Sequence, residues 1–116
     1  FDYYVSALGD LPGVEFMPEA SWGRCTRWLS CITIDPAKFG ADRDAVRVAL
    51  AAENIETRPL WKPMHLQPVF ASCRYHGRGV SDQLFAHGLC LPSGSNLNRV
   101  DIERVVRAVC RCGTKQ

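Results

Sequence analysis

Gly88-Leu-Cys-Leu-Pro-Ser-Gly-Ser-Asn-Leu-Asn-Arg-Val-Asp-Ile-Glu-Arg-Val-Val-Arg-Ala-Val-Cys-Arg-Cys112 reads as a strand, a turn and a helix in succession. Leu89-Cys90-Leu91 is a short apolar run of the kind a buried strand uses, and Pro92 to Asn96 is a run of turn formers. Asn98, with Asp101 three residues later, supplies an N-cap and a favourable first-turn acid. From there Ile102, Val105, Val106, Val109 and Cys110 keep the i, i+3, i+4, i+7, i+8 pattern of one buried helical face, while Arg104, Arg107 and Arg111 fill the outer face. A buried strand feeding an amphipathic helix calls for a sheet with helices packed on it.

The rest of the chain supplies matching pieces. Trp28 to Asp35 is rich in β-formers and is closed by Pro36, so it reads as a strand. Asp42 can cap a helix to about Glu53, burying Ala45, Val46, Ala49 and Leu50 and exposing Arg43, Asp44 and Arg47, with Asn54 to end it. Ser81 can cap a shorter helix, with Val80 and Phe85 as a hydrophobic staple and Gly88 as the stop. Phe1, Tyr4, Val5 and Leu8 form one helical stripe, with Gly9 placed to end it in a left-handed conformation. Val14 to Met17 and Ile55 to Arg58 read as brief strands, whereas Pro59, Pro63 and Pro68 oppose regular structure through Val69. The order is helix, strand, strand, helix, strand, loop, helix, strand, helix. It predicts a single α/β domain over residues 1–116, an α+β sandwich with a small mixed sheet and helices packed on it.

Composition narrows the function classes. With 116 residues, 47% hydrophobic and 22% charged, the chain suits one packed domain. Fourteen Lys and Arg against twelve Asp and Glu leave a charge of +2 with no dense basic field, which argues against nucleic acid as a partner. The longest apolar run, Trp28 to Ile34, is far short of the roughly 20 residues that span a bilayer, so no membrane association is expected. The first residues include neither an initiator Met nor a secretion signal, as expected of a fragment or trimmed chain. The six cysteines contain no Cys-x-x-Cys; Cys73-x-x-His76 and His87-x-x-Cys90 come nearest to metal half-sites, and neither sits in a knuckle. Reduced thiols in a cytoplasmic protein, with no metal, are the expectation. No Gly-x-Ser-x-Gly frames a hydrolase nucleophile.

The proline-stiffened loop holds Trp61, Lys62, Met64, His65 and Gln67, large side chains that suit a binding surface better than a connector. Asn54-Ile-Glu-Thr-Arg-Pro-Leu-Trp-Lys-Pro-Met-His-Leu-Gln-Pro-Val-Phe70, then Gly88 to Leu97 and the final helix, closely resemble the C-terminal part of the DegT/DnrJ/StrS family of sugar aminotransferases. The Leu-Pro-Gly-Val turn near the start and Asp42-Arg-Asp44 extend the resemblance over almost the whole chain. Members are pyridoxal-phosphate (PLP) enzymes of the aspartate-aminotransferase fold that act on nucleotide-linked keto sugars.

The resemblance implies a small C-terminal domain that packs on a large cofactor domain and helps wall the sugar-nucleotide cleft, with Trp61, Lys62, Met64 and His65 as substrate contacts. Trp61 offers a flat apolar face to a sugar or base, Lys62 a charge for a diphosphate, and His65 a hydrogen-bond donor for hydroxyls. Structural roles compete: Trp61 as a core or interface aromatic, Lys62 as a solvated cation, His65 as a satisfied imidazole. Arg58 can grip an anion or a carboxylate such as Glu56 or Asp101. Ser93, Ser95 and Asn96, around Gly94 and ahead of a helix N-terminus, can bind an anion or form a capping turn.

In this family the aldimine lysine, the pyridine-nitrogen carboxylate and the phosphate cup belong to the large domain. Lys38, Lys62 and Lys115 lack the family's lysine surroundings, so the chain is expected to hold no catalytic residue, to bind no cofactor alone and not to transaminate by itself. PLP and the nucleotide-linked sugar are then expected only in the complete enzyme. The expected partner is a large PLP-binding domain or a second copy of the chain, because loss of that domain would uncover an apolar face. The competing reading is a free-standing, non-catalytic interaction or oligomerisation module.

Overall fold

Side-chain caps start the two longest helices in the computed structural model, which describes residues 1–113. Asp42 accepts the Ala45 N–H at 2.7 Å and opens α3 (Arg43–Ala52), while Asn98 and Asp101 form a reciprocal capping box at the head of α5 (Arg99–Cys112). The other elements are α1 (Asp2–Leu8), β1 (Val14–Phe16), β2 (Ser30–Ile34), α2 (Pro36–Phe39), β3 (Arg58–Pro59), α4 (Val80–His87) and β4 (Gly88–Leu91). Met64–Leu66 and Pro68–Phe70 are single 3-10 turns within the proline-rich loop.

The strands lie in the order β1-β2-β4-β3, and β4 pairs antiparallel with both β2 and β3. β1 is likewise antiparallel to β2. The α+β sandwich holds, but among the described residues every strand pairing is antiparallel, where the sequence predicts a mixed sheet. The reason is an inserted strand: β2 and β3 run the same way, as a helical crossover through α3 requires, and β4 slots between them.

Ser30, Ile32 and Ile34 alternate with half-buried Cys31 and Thr33 along β2, so the two sheet faces differ. On one face, Tyr4 and Leu8 of α1, Val46 and Leu50 of α3 and Val105, Ala108 and Val109 of α5 close a core with Ile32, Ile34, Leu89 and Leu91. On the other face, α4 lies beside Thr33 and covers only part of the sheet. Gly13 joins these layers near β1. Its φ of 78° and the 2.7 Å that would separate an added Cβ from the Asp35 carbonyl leave glycine as the residue that fits.

Several expectations fail locally. Trp28 lies outside β2 and is exposed, because pairing starts only at Ser30. Ser81 does not cap α4; Gly79, at φ 73°, turns the chain into the helix earlier, and Val80 stays exposed rather than stapling Phe85. Gly9 keeps a right-handed φ of −64°, and Gly88 is extended because it is already the first residue of β4. Ala45 is exposed, while Arg43 lays its guanidinium over the Phe85 ring at 4.9 Å. In α5 the buried stripe takes Ala108 and leaves Cys110 exposed.

The Tyr4 hydroxyl donates to the Pro92 carbonyl at 3.0 Å, and burial pushes its pKa from 10.0 to about 12. A pKa raised by folding contributes stability that is complete below pH 10 and lost as pH climbs through about 12. Urea unfolding should therefore show a loss of roughly 2–3 kcal/mol attributable to Tyr4 across that window, at about 1.4 kcal/mol per pKa unit. Tyr4→Phe should lack that share of the alkaline slope and cost about 1 kcal/mol at neutral pH through the lost hydrogen bond.

Candidate functional site

The β3–β4 pairing joins the two sequence motifs. Arg58 lies opposite Cys90 and Pro59 opposite Leu89, so the first motif runs beside the strand that leads into the second. Gly88 permits this approach: an added Cβ would sit 2.2 Å from Leu60 Cδ1 and 2.3 Å from the Leu84 carbonyl. A cleft of about 590 Å³ opens between residues 54–59, the 92–97 turn and the start of α5. Arg58, Trp61, Ser93 and Asn96 line it, whereas Ser95, Lys62, Met64 and His65 lie outside that lining.

Within the cleft, Arg58 Nε and Nη2 donate to Glu56 Oε1 at 2.9 and 2.6 Å. Both side chains are exposed, so the guanidinium is held lightly and can be drawn to another anion. The Ser93 hydroxyl accepts the Ser30 N–H at 2.7 Å and donates to the Leu91 carbonyl at 2.8 Å, which ties the turn to β2. Ser95 and Asn96 are exposed on that turn, ahead of the Asn98 cap. Thr57 Oγ1 is buried in the cleft wall without a hydrogen-bond partner among the described residues. Trp61 stands over Trp28 with ring centroids 6.0 Å apart and planes 35° apart, and both indoles remain exposed.

Lys62, Met64 and His65 lie together on the proline-rich loop, and of the three His65 reaches α4. His65 Nε2 meets Asp82 Oδ1 at 2.5 Å, and its ring stacks on Tyr75 at 3.8 Å and 25°. Gln67 Nε2 donates to the Lys62 carbonyl at 3.3 Å and to the Met64 sulfur at 3.7 Å, so the 3-10 turn is braced from within. Lys62 and Met64 are exposed. Nothing in the local sequence marks Trp28, Thr57, Tyr75 or Asp82 as a site residue: Trp28 opens a run of β-formers, and no local spacing links Asp82 to His65.

Of the lysines, Lys38 pairs with Asp35 at 3.3 Å on α2, Lys62 is solvent-exposed, and Lys115 lies outside the described residues. Among the described residues no group of three or more His, Cys, Asp or Glu converges on a metal position, and no helix is long and apolar enough to cross a membrane.

The model of the DegT/DnrJ/EryC1/StrS aminotransferase family matches residues 1–110. EpsN of Bacillus subtilis, which bears the name of a pyridoxal phosphate-dependent aminotransferase, is 42% identical over 113 residues, covering 94% of this chain and 28% of EpsN. GDP-perosamine synthase of Caulobacter vibrioides is 31% identical over 87 residues, 75% of this chain and 23% of that enzyme. The crystal structure of DesI, determined in the presence of its TDP-sugar product, superposes with a TM-score of 0.80 at 31% identity, covering 96% of this chain and 29% of DesI. The chain thus spans less than a third of the length of these relatives.

Asp82 and Tyr75 hold His65 from two sides. Asp82→Ala or Tyr75→Ala should speed amide hydrogen exchange over residues 62–67 by about fivefold or more, corresponding to roughly 1 kcal/mol of local opening, and leave α5 unchanged.

Proposed function

The chain belongs to the DegT/DnrJ/EryC1/StrS aminotransferase family, and on that premise we propose that it is the C-terminal part of a PLP-dependent, cytoplasmic nucleotide-sugar aminotransferase. In this reading it supplies substrate-side residues to a cleft completed by a large cofactor domain. The observation that carries it is the β3–β4 pairing, which sets Arg58 and Trp61 against the Ser93–Asn96 turn on one opening.

Pyridoxal phosphate, when bound, supplies the electron sink through which an amino group is moved. Lys38, paired with Asp35, and the exposed Lys62 both lie outside the cleft lining, which supports a cofactor lysine supplied by the large domain. No chemical step is therefore assigned to this chain, and its work is binding and orientation.

The Trp28–Trp61 pair offers an apolar face to a sugar or base. Arg58 and Lys62 offer charge to a diphosphate, Arg58 by exchanging Glu56 for the ligand, and Ser95 and Asn96 offer polar groups at the head of α5. With His65 Nε2 committed to Asp82, the nitrogen left for a sugar hydroxyl is Nδ1, which accepts when the ring is neutral and donates when it is protonated. Met64 adds an apolar contact beside it. The exposed Trp28–Trp61 pair is apolar surface that a large domain would cover, and Trp22, Met64 and Val69 are exposed as well.

The test is kinetic, in the full-length protein with a nucleotide-linked keto sugar and an amino donor. Trp61→Ala and Lys62→Ala should each raise KM for the sugar nucleotide about tenfold, a loss of roughly 1.4 kcal/mol of binding, while kcat changes less. Unchanged KM in both variants would remove these residues from the substrate site. The same apolar surface favours a second reading, a free-standing module that pairs with a copy of itself. Sedimentation of the chain alone distinguishes the two, since a monomer at high concentration defeats the module.

A further inference from the structure

Two thiols face each other across the middle of the sheet. Cys31 of β2 is the register partner of Cys90 of β4, and their Sγ atoms lie 3.8 Å apart. The Met17 N–H donates to the Cys31 carbonyl, so the backbone polar groups of Cys31 point toward β1. The Leu60 N–H donates to the Gly88 carbonyl, and strand alternation turns the polar groups of Cys90 the same way, toward β3. Cys31 and Cys90 are therefore a non-hydrogen-bonded cross-strand pair, the kind whose Cα atoms approach to about 4.5 Å. That separation lies within the range a disulfide bridges, about 4.4–6.8 Å.

Both thiols are free, and they are not equally sheltered. Cys31 is half-buried, whereas Cys90 is buried and lines the floor of the cleft between the two motifs. Cys112, by contrast, donates its thiol to the Ala108 carbonyl at 3.3 Å within α5, and Cys73 and Cys110 stand exposed on the surface.

We propose that Cys31 and Cys90 form a two-electron redox site, oxidised to an intramolecular disulfide by a small disulfide of the glutathione class. The Cys31 thiolate attacks one sulfur of the small disulfide; the new S–S bond forms as the old one breaks, and the departing half leaves as a thiolate that takes up a proton. Cys90 then loses its proton to solvent and attacks Cys31 Sγ, expelling the second half as another thiolate. The cysteine pair gives up two electrons and two protons, and the small disulfide becomes two thiols. Burial, then the neighbouring Cys90, push the Cys31 thiol up to about 12, so its thiolate is scarce and the first step is slow. The site answers to sustained oxidation, and the closed bond would pin β2 to β4 beneath the cleft.

The full-length protein is incubated with oxidised glutathione, its remaining thiols are blocked with N-ethylmaleimide, and a tryptic digest is mapped without reduction. Cleavage places Cys31 in peptide 28–38 and Cys90 in peptide 79–99, each with a single cysteine. The expected product is these two peptides joined, about 2 Da lighter than their reduced sum, and released by dithiothreitol. Cys31→Ser and Cys90→Ser should each abolish it. The map of the unmodified protein decides the matter even where a variant fails to fold. Blocked Cys31 and Cys90 alongside disulfides elsewhere, or glutathione left on Cys31 with no link to Cys90, would overturn the proposal.

Discussion

The burial of β4 is the constraint on which the rest of the structure depends. All four of its residues are buried, and its backbone is paired on both edges, to β2 and to β3. A strand with no exposed edge must find a partner for each backbone donor and acceptor, because an unmade bond there costs about 1–3 kcal/mol. That demand draws the two-residue β3 out of a proline-rich segment that would not form a strand alone. The cleft follows from this, since Arg58 and Trp61 reach the 92–97 turn only through the pairing.

The turn after β4 is fixed from both sides. Tyr4 reaches across from α1 to the Pro92 carbonyl, and Ser93 is held between the Ser30 amide and the Leu91 carbonyl. The first helix and the central strand thus orient the approach to α5. The turn is tied to the scaffold by these bonds, while Arg58 and Trp61 on the cleft and Trp28 beside Trp61 stay exposed. This division suits a surface that binds against a second body, with the exposed Trp28 and Trp61 indoles beside each other.

Legibility in the sequence varied with the range of the interaction. The N-caps of α3 and α5 were readable because their partners lie within four residues, and Asp42 and Asn98 perform as capping residues do. The pairing of Arg58 with Glu56 was readable for the same reason. Gly79 displaced Ser81 as the start of α4 because a left-handed residue can redirect the chain without any side-chain cap. The mate of Trp61 was hidden: Trp28 lies thirty-three residues away in sequence, and only the strand order brings the two rings together.

By itself, the sequence determined most of the elements (though not α2), the architecture of helices packed on a sheet and, through two long motifs, the family, because local periodicity and motif order survive without knowledge of what touches what. Only the tertiary structure decided that the sheet is antiparallel, that β4 divides β2 from β3, and that Arg58, Trp61, Ser93 and Asn96 line one cleft while His65 turns away to Asp82 of α4. It also decided that Cys31 and Cys90 meet, fifty-nine residues apart in sequence. Strand register creates that contact, and register is settled by which faces must be buried together, a property of the whole packed sheet rather than of any one strand.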